Sequence, residues 1–259
     1  MKKPYIPIQL FFFVLLFLGS STPAQQEIGR LTVDRYLSWE DVENPQLSPD
    51  GQQIIYARRW VDAVNDNWET SLWIMNVDGK KNRFLVEGSS PKWSPDGTRI
   101  AFLASGKQGG TQLFVRWMDA EGAVSQVSRV TDSPSNITWS PDGNSIAFQM
   151  VLPSVDDGLW NINMPPKPNE ADWTAKPTII DYRRDRVGYH PKGYRHIFVI
   201  PADGGTPHRL THGNWHHDSF KWMPDGKTIV FESLRIEDAE YQWRESEIYS
   251  VDVNSGNIR

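Results

Sequence analysis

Cysteine is absent from all 259 residues. That absence removes a disulfide scaffold, thiolate zinc sites and cysteine nucleophiles together. Excess positive charge is missing too. Lys and Arg number 27 against 32 Asp and Glu, a net charge of -5, so the cationic surface that neutralises nucleic-acid phosphates is not provided and no nucleic-acid partner is expected. The nucleophile-elbow string G-x-S-x-G is also missing: the nearest approach, Gly143-Asn144-Ser145-Ile146-Ala147, lacks its last glycine. No residue pattern asks for a cofactor. What is plentiful is apolar and aromatic: 39% hydrophobic residues and 12 Trp against 23% charged, the composition of a folded core.

The N-terminus reads as a processing signal. Lys2 and Lys3 precede the apolar run LFFFVLLFL at 10–18, and Thr22, Pro23 and Ala24 follow it. Charged region, apolar region and small-residue cleavage site stand in the order of a secretory signal, and the run is well short of the roughly 20 residues that a spanning helix needs. Residues 1–24 are therefore expected to be removed on export to the periplasm or the exterior, an uncleaved membrane anchor being the alternative. The remainder carries 25 basic and 32 acidic residues.

A repeat organises the rest. SPDG occurs at 48–51, 94–97 and 140–143 and returns as MPDG at 223–226. The first two intervals are 46 residues and the third is 83, longer by 37. Periods of 40 to 50 mark propeller blades. Each copy has a short strand before the turn and an apolar strand after it (IIYA, IAFL, IAFQM, IVFES). A third strand (LWIMNV, LFVRWM, IFVIPA, IYSVDV) leads to a second turn at Asp78-Gly79, Glu121-Gly122, Asp203-Gly204 or Asn254-Ser255-Gly256. Three copies continue into a polar fourth strand. The reading is all-β: a propeller of four-stranded blades, four visible and the last incomplete. Residues 25–43 form a short lead with a helix near 32–37 capped by Thr32. The blades occupy 44–259, with an insertion at about 151–193 in the third.

The repeated letters have a local explanation. Pro presets the first turn dihedral, Asp bonds the turn backbone, and Gly takes the left-handed conformation that closes the hairpin. The second strand is apolar throughout because stacked blades bury both its faces. Residues 44–259 fall just short of four periods plus the excursion, and an unfinished blade leaves an unprotected edge. The sequence thus reads as the N-terminal part of a longer protein.

The segment NPQLSPDGQQIIYA at 44–57, the three further Pro-Asp-Gly copies and the stretch at 173–211 (WTAKPTIIDYRRDRVGYHPKGYRHIFVIPADGGTPHRLT) together resemble the N-terminal propeller of the prolyl oligopeptidase family, on its acylaminoacyl-peptidase and dipeptidyl-peptidase side. The turn motif alone is shared with TolB-like propellers; the Tyr- and Arg-rich insertion followed by PADGG is more particular. The resemblance implies an exported serine peptidase acting on short peptides, whose propeller restricts access to a C-terminal α/β-hydrolase domain. With no nucleophile elbow here, no catalytic residue carries over. The competing reading is a TolB-like interaction propeller without enzyme activity. That reading would place a mixed α/β domain ahead of the blades, where only about 20 residues separate the cleavage site from them.

Candidate sites follow. Between 181 and 196 lie Arg183, Arg184, Arg186, Lys192 and Arg195 with Tyr182, Tyr189 and Tyr194. Arg forks bind carboxylates bidentately and stack on rings, so Tyr182, Arg183, Arg184 and Arg186 are candidates for substrate or domain-interface contact; the plain alternative is a solvated hairpin pairing with Asp181 and Asp185. All six His lie between 190 and 217, but adjacent His216 and His217 on a strand would point to opposite faces, so no metal site is expected. Asp50, Asp96, Asp142 and Asp225 are assigned to turn structure, and the Pro-rich stretch 164–168 to a stiff loop.

Overall fold

Four copies of a Pro-Asp-Gly hairpin fold into four antiparallel sheets. The computed structural model describes residues 31–153, 183–185, 188–189, 193–237, 239–242 and 244–259. The first blade holds β1 (Glu40–Leu47), β2 (Gln53–Asp62), β3 (Asn67–Asn76) and β4 (Arg83–Glu87) in that order. The second holds β5 (Ser89–Trp93), β6 (Arg99–Ser105), β7 (Thr111–Trp117) and β8 (Val124–Gln126). The third begins with β9 (Ser135–Trp139) and β10 (Ser145–Leu152); the short pair β11 (Arg183–Arg184) and β12 (Gly188–Tyr189) intervenes before β13 (Tyr194–Pro201) and β14 (His208–Arg209) complete it. The fourth holds β15 (Asp218–Trp222), β16 (Thr228–Ser233) and β17 (Glu247–Asp252). Ahead of them, in a separate unit, α1 (Val33–Leu37) is capped by Thr32, whose hydroxyl accepts the Arg35 N–H at 3.3 Å.

The turn chemistry repeats bond for bond. Ser48, Ser94 and Ser140 each donate a hydroxyl to the Asp two residues on, at 2.5, 2.5 and 2.6 Å. Each also accepts the backbone N–H five residues on, at 2.9 Å. The glycines that close the four turns have φ between 65° and 72°. The fourth turn has Met223 in place of serine, and Asp225 instead accepts Lys227 N at 2.8 Å and Thr228 N at 3.0 Å.

First strands lie side by side, β5 against β1, β9 against β5 and β15 against β9. Each carries a bulge at the same place. The residue four before the turn serine or methionine (Asn44, Ser90, Asn136, Ser219) has φ between 47° and 54°. That bend re-aims the strand entering each blade.

Second strands serve two neighbours. Ile100 and Phe102 of β6 pack with Ile55, Leu72 and Leu85 of the first blade, whereas Ala101 and Leu103 join Ile137, Ile146 and Phe148 of the third. One blade on, Ala147 of β10 faces the fourth blade with Ile197, Phe220, Ile229 and Phe231. The uninterrupted apolar run thus reflects burial on both faces. Indoles tie the blades further: Trp93 Nε1 donates to Gln46 O at 3.4 Å and Trp139 Nε1 to Lys92 O at 3.0 Å. Trp222 holds the same position in the fourth blade, and its buried Nε1 has no acceptor among the described residues. Arg99 adds a cross-blade clamp, stacked between Trp117 and Trp139 at 5.0 and 5.1 Å and donating to Gly143 O at 2.8 Å.

Two boundaries differ from the sequence reading. The first strand starts at Glu40 rather than Asn44, because Arg58 and Arg59 of β2 pair with Glu40 and Glu43 of β1 and extend the ladder outward. The fourth blade does not stop short of its last strand altogether: residues 257–259 turn back on β17, with Ser250 N donating to Arg259 O and Arg259 N to Ser250 O, each at 2.9 Å.

Candidate functional site

The insertion springs from the middle of the third blade. β10 and β13 pair in unbroken register from Ser145↔Pro201 to Leu152↔Tyr194, so residues 153–193 leave and return at one point. Gly193 sits at that point with φ 137°, and a Cβ there would run into the Leu152 carbonyl; only glycine permits the return. Within the excursion, Arg183 pairs with Tyr189 and Arg184 with Gly188 across a small hairpin. The side chains of Arg183 and Asp185 are exposed. Tyr182, Arg186 and Lys192 lie outside the described residues, as do 1–24 and the Pro-rich stretch. The four candidate residues are therefore not brought together on any described surface.

Arg195 belongs to the blade rather than to the excursion. Its guanidinium grips Asp218 of the fourth blade through Nε at 2.5 Å and Nη2 at 2.7 Å. β13 carries it to this fourth-blade carboxylate. Burial pushes the Asp218 carboxyl up, but the two hydrogen bonds and the charge of Arg195 outweigh this and hold it below the usual range. Gln149 of β10 joins in, donating to the His217 carbonyl and lying 3.4 Å from Asp218.

The histidines gather around the same residue. His216 Nδ1 accepts the Arg195 N–H at 3.2 Å, and His217 Nδ1 donates to Arg195 O at 2.9 Å. The two imidazoles thus engage the backbone N–H and the backbone carbonyl of one residue. His217 is 0% exposed and packs on His196 and Phe231, with centroids 5.1 and 5.4 Å away. Among the described residues no group of three or more His, Asp or Glu is placed to hold a metal. His196 Nε2 lies 2.9 Å from Arg209 Nη2. Arginine can only donate, so His196 Nε2 accepts and the ring is neutral. Burial, then the charge of Arg209, pushes its pKa down to about 3.

Beside His196 opens a cleft of about 450 Å³, lined also by Leu152, Pro153, Tyr194, Arg209, His212, Gly213 and Asn214. A volume in this range suits a small ligand. Sequence reading missed Gln149, Arg209 and Asp218. The available signal was repeat alignment, which sets His196 against the buried Gln112 of the second blade and Arg209 against Gln126.

No family model matches the chain. It is 26% identical over 205 residues to the uncharacterized peptidase YuxL of Bacillus subtilis (strain 168), a match covering 78% of this chain and 31% of that protein. Over 252 residues it is 26% identical to dipeptidyl-peptidase 5 of Porphyromonas gingivalis, covering 87% and 34%. The chain spans about a third of the length of these curated relatives. In structure it matches the acylaminoacyl peptidase of Pyrococcus horikoshii with a TM-score of 0.62 at 15% identity, over 85% of this chain and 32% of that one. The curated proteins that it resembles in sequence are thus peptidases. TolB from Acinetobacter baumannii also matches, with a TM-score of 0.50 at 17% identity over 85% and 43%; that likeness is one of fold.

Ser145, in the nearest approach to an elbow, sits in the hairpin between β9 and β10, where its N–H is taken by Ser140. A nucleophile elbow needs a strand-to-helix turn, and a β-hairpin supplies none. The acids of the four turns are engaged by the turn serine hydroxyls in the first three and by the Lys227 N–H in the fourth, with further turn N–H groups, and these hydrogen bonds hold all four carboxyls below their ordinary range.

Proposed function

We propose that this chain is the substrate-gating propeller of an exported serine peptidase that hydrolyses short peptides, acting with a C-terminal α/β-hydrolase domain of the same protein. The observation that carries the reading is the 26% identity to a curated peptidase along 78% of the chain. The blades support it as a rigid scaffold whose one large excursion, in the third blade, is where a binding loop would be added. Tyr182, Arg183, Arg184 and Arg186 are proposed to meet a peptide carboxylate or the hydrolase domain. Replacing the responsible Arg by Ala should lower peptide kcat/KM by about 10- to 150-fold, the worth of one charge-assisted bond. If each single replacement leaves turnover and domain association unchanged, the hairpin is only solvated.

Export is proposed from the order of Lys2, Lys3, the apolar run and Ala24. N-terminal sequencing should begin at Gln25; a mature chain retaining Lys2 would instead indicate an anchor. The TolB-like reading separates from the peptidase reading by chemistry. A fluorophosphonate labels the serine of a peptidase carrying this propeller and nothing in a TolB-like protein.

A further inference from the structure

We propose that the cleft at the root of the third-blade insertion is a carboxylate-binding site with Arg209 as its cation, taking a carboxylate of a short peptide. Only the naming of a peptide rests on the peptidase reading; the site stands on geometry.

The repeat supplies its own control. In the second blade Gln126 donates to Ser128 O at 2.9 Å, Ser128 Oγ accepts Leu113 N at 2.8 Å, and Gln112 accepts the Ser128 hydroxyl at 2.8 Å. In the third blade Arg209 donates to Thr211 O at 2.7 Å, Thr211 Oγ1 accepts Ile197 N at 2.9 Å, and His196 lies 3.4 Å from Thr211 Oγ1. The same strand-pinning device is built twice, once from neutral amides and once around a guanidinium. A glutamine meets the needs of the fold, so the positive charge of Arg209 is surplus to them. In the second blade Gln112 closes on Val130 through two hydrogen bonds, whereas in the third the corresponding groups line an open cleft.

No carboxylate among the described residues pairs with Arg209, and the charges acting on His196 and His212 there are those of Arg209 and of other histidines. The nearest acid of the cluster, Asp218, is committed to Arg195. His196 is held neutral and fixes one edge of the guanidinium at 2.9 Å, so the fork is oriented with N–H donors to spare. A partly desolvated, oriented guanidinium without a counter-ion among the described residues is a receptor for a planar carboxylate. Leu152, Pro153 and Tyr194 supply the apolar wall for the residue that bears it.

The test titrates the purified protein by calorimetry with acetyl-Gly-Gly-Phe, its C-terminal amide, and the amidated peptide acetyl-Gly-Asp-Phe. The free acid should bind about 10- to 100-fold more tightly than the neutral amide, a gap that shrinks with added salt. Arg209→Gln should erase the gap while the urea midpoint stays where it was, since Gln126 shows that glutamine serves this position. Equal affinity for the Asp amide and the free acid assigns the site to side-chain carboxylates; an Asp amide as weak as the neutral amide assigns it to the peptide C-terminus. The proposal is overturned if acid and amide bind alike, if no peptide binds, or if Arg209→Gln keeps the gap. The acid-to-amide comparison needs no variant, so a misfolded Arg209→Gln would not shield the idea. None of these readouts uses hydrolysis, so failure of the peptidase reading is seen separately.

Discussion

Replacing the interblade indoles one at a time by phenylalanine tests whether the blades are stitched by the hydrogen bonds that the structure draws. Trp139→Phe deletes a 3.0 Å bond to Lys92 O and thins the stack on Arg99. The bond contributes about 1 kcal/mol net, and leaving a partly buried carbonyl without its donor costs about 1 kcal/mol more. With the weakened arginine stack, worth about 0.5 kcal/mol, the loss comes to about 2–3 kcal/mol. Trp93→Phe should cost less, about 0.5–1 kcal/mol, because its bond to Gln46 O is long at 3.4 Å and the ring is half-buried, so water can replace it. Trp222→Phe removes a buried N–H that has no acceptor among the described residues. It should fall within about 0.5 kcal/mol of the parent, the lost contact area being offset by relief of an unmet donor. Urea unfolding at constant m value reads all three. A cost for Trp222→Phe equal to that for Trp139→Phe would refute the stitching argument and leave ring size as the cause.

Met223→Ser should stabilise the protein by about 0.5–1 kcal/mol in the same assay: it restores the hydroxyl that the other three turns use, and a side chain 40% exposed gives up little burial. A neutral or destabilising result would mean that Asp225 already satisfies the turn. Gly193→Ala should destabilise by at least about 1–3 kcal/mol, because φ 137° and the Leu152 carbonyl both exclude a Cβ; unchanged stability would show that the return path relaxes freely. His196 stays neutral in the folded protein down to about pH 3, while an unfolded imidazole takes a proton near 6.5. Its contribution is therefore complete above about pH 6.5 and is lost as pH falls from there towards 3, by up to about 1.4 kcal/mol per pH unit. Below about pH 4, protonation of Asp218, whose pKa is depressed by Arg195, adds to the loss. Urea midpoints from pH 7.5 to 4.5 should fall less steeply for His196→Gln than for the parent, and parallel profiles would exclude His196 as the source.

The turns were legible because their chemistry is local: Pro49, Asp50 and Gly51 fix a hairpin within four residues, and Ser48 closes it within six. The Thr32 cap was legible for the same reason. The doubly buried second strands could be read from composition, since an unbroken apolar run implies a neighbour on both sides. The left-handed residues Asn44, Ser90, Asn136 and Ser219 could not, for although Asn tolerates φ near 50° serine has no such preference, and the shared position is a bulge of the first strands. Arg195 and Asp218 stand 23 residues apart on different blades, and only the stacking of β13 on the fourth blade joins them. The cleft escaped notice because its parts are spread from Leu152 to Asn214, and because Arg209 looks like one more polar fourth-strand residue until it is set against Gln126.

The most direct test of the peptidase reading is fluorophosphonate labelling of the exported fraction of the source cells, followed by identification of labelled proteins by their tryptic peptides. The account predicts a labelled protein that yields peptides from the blades described here together with peptides from an α/β-hydrolase domain, and a total mass about three times the 29.7 kDa of this chain. Recovery of the blade peptides only from an unlabelled protein near 30 kDa would contradict it.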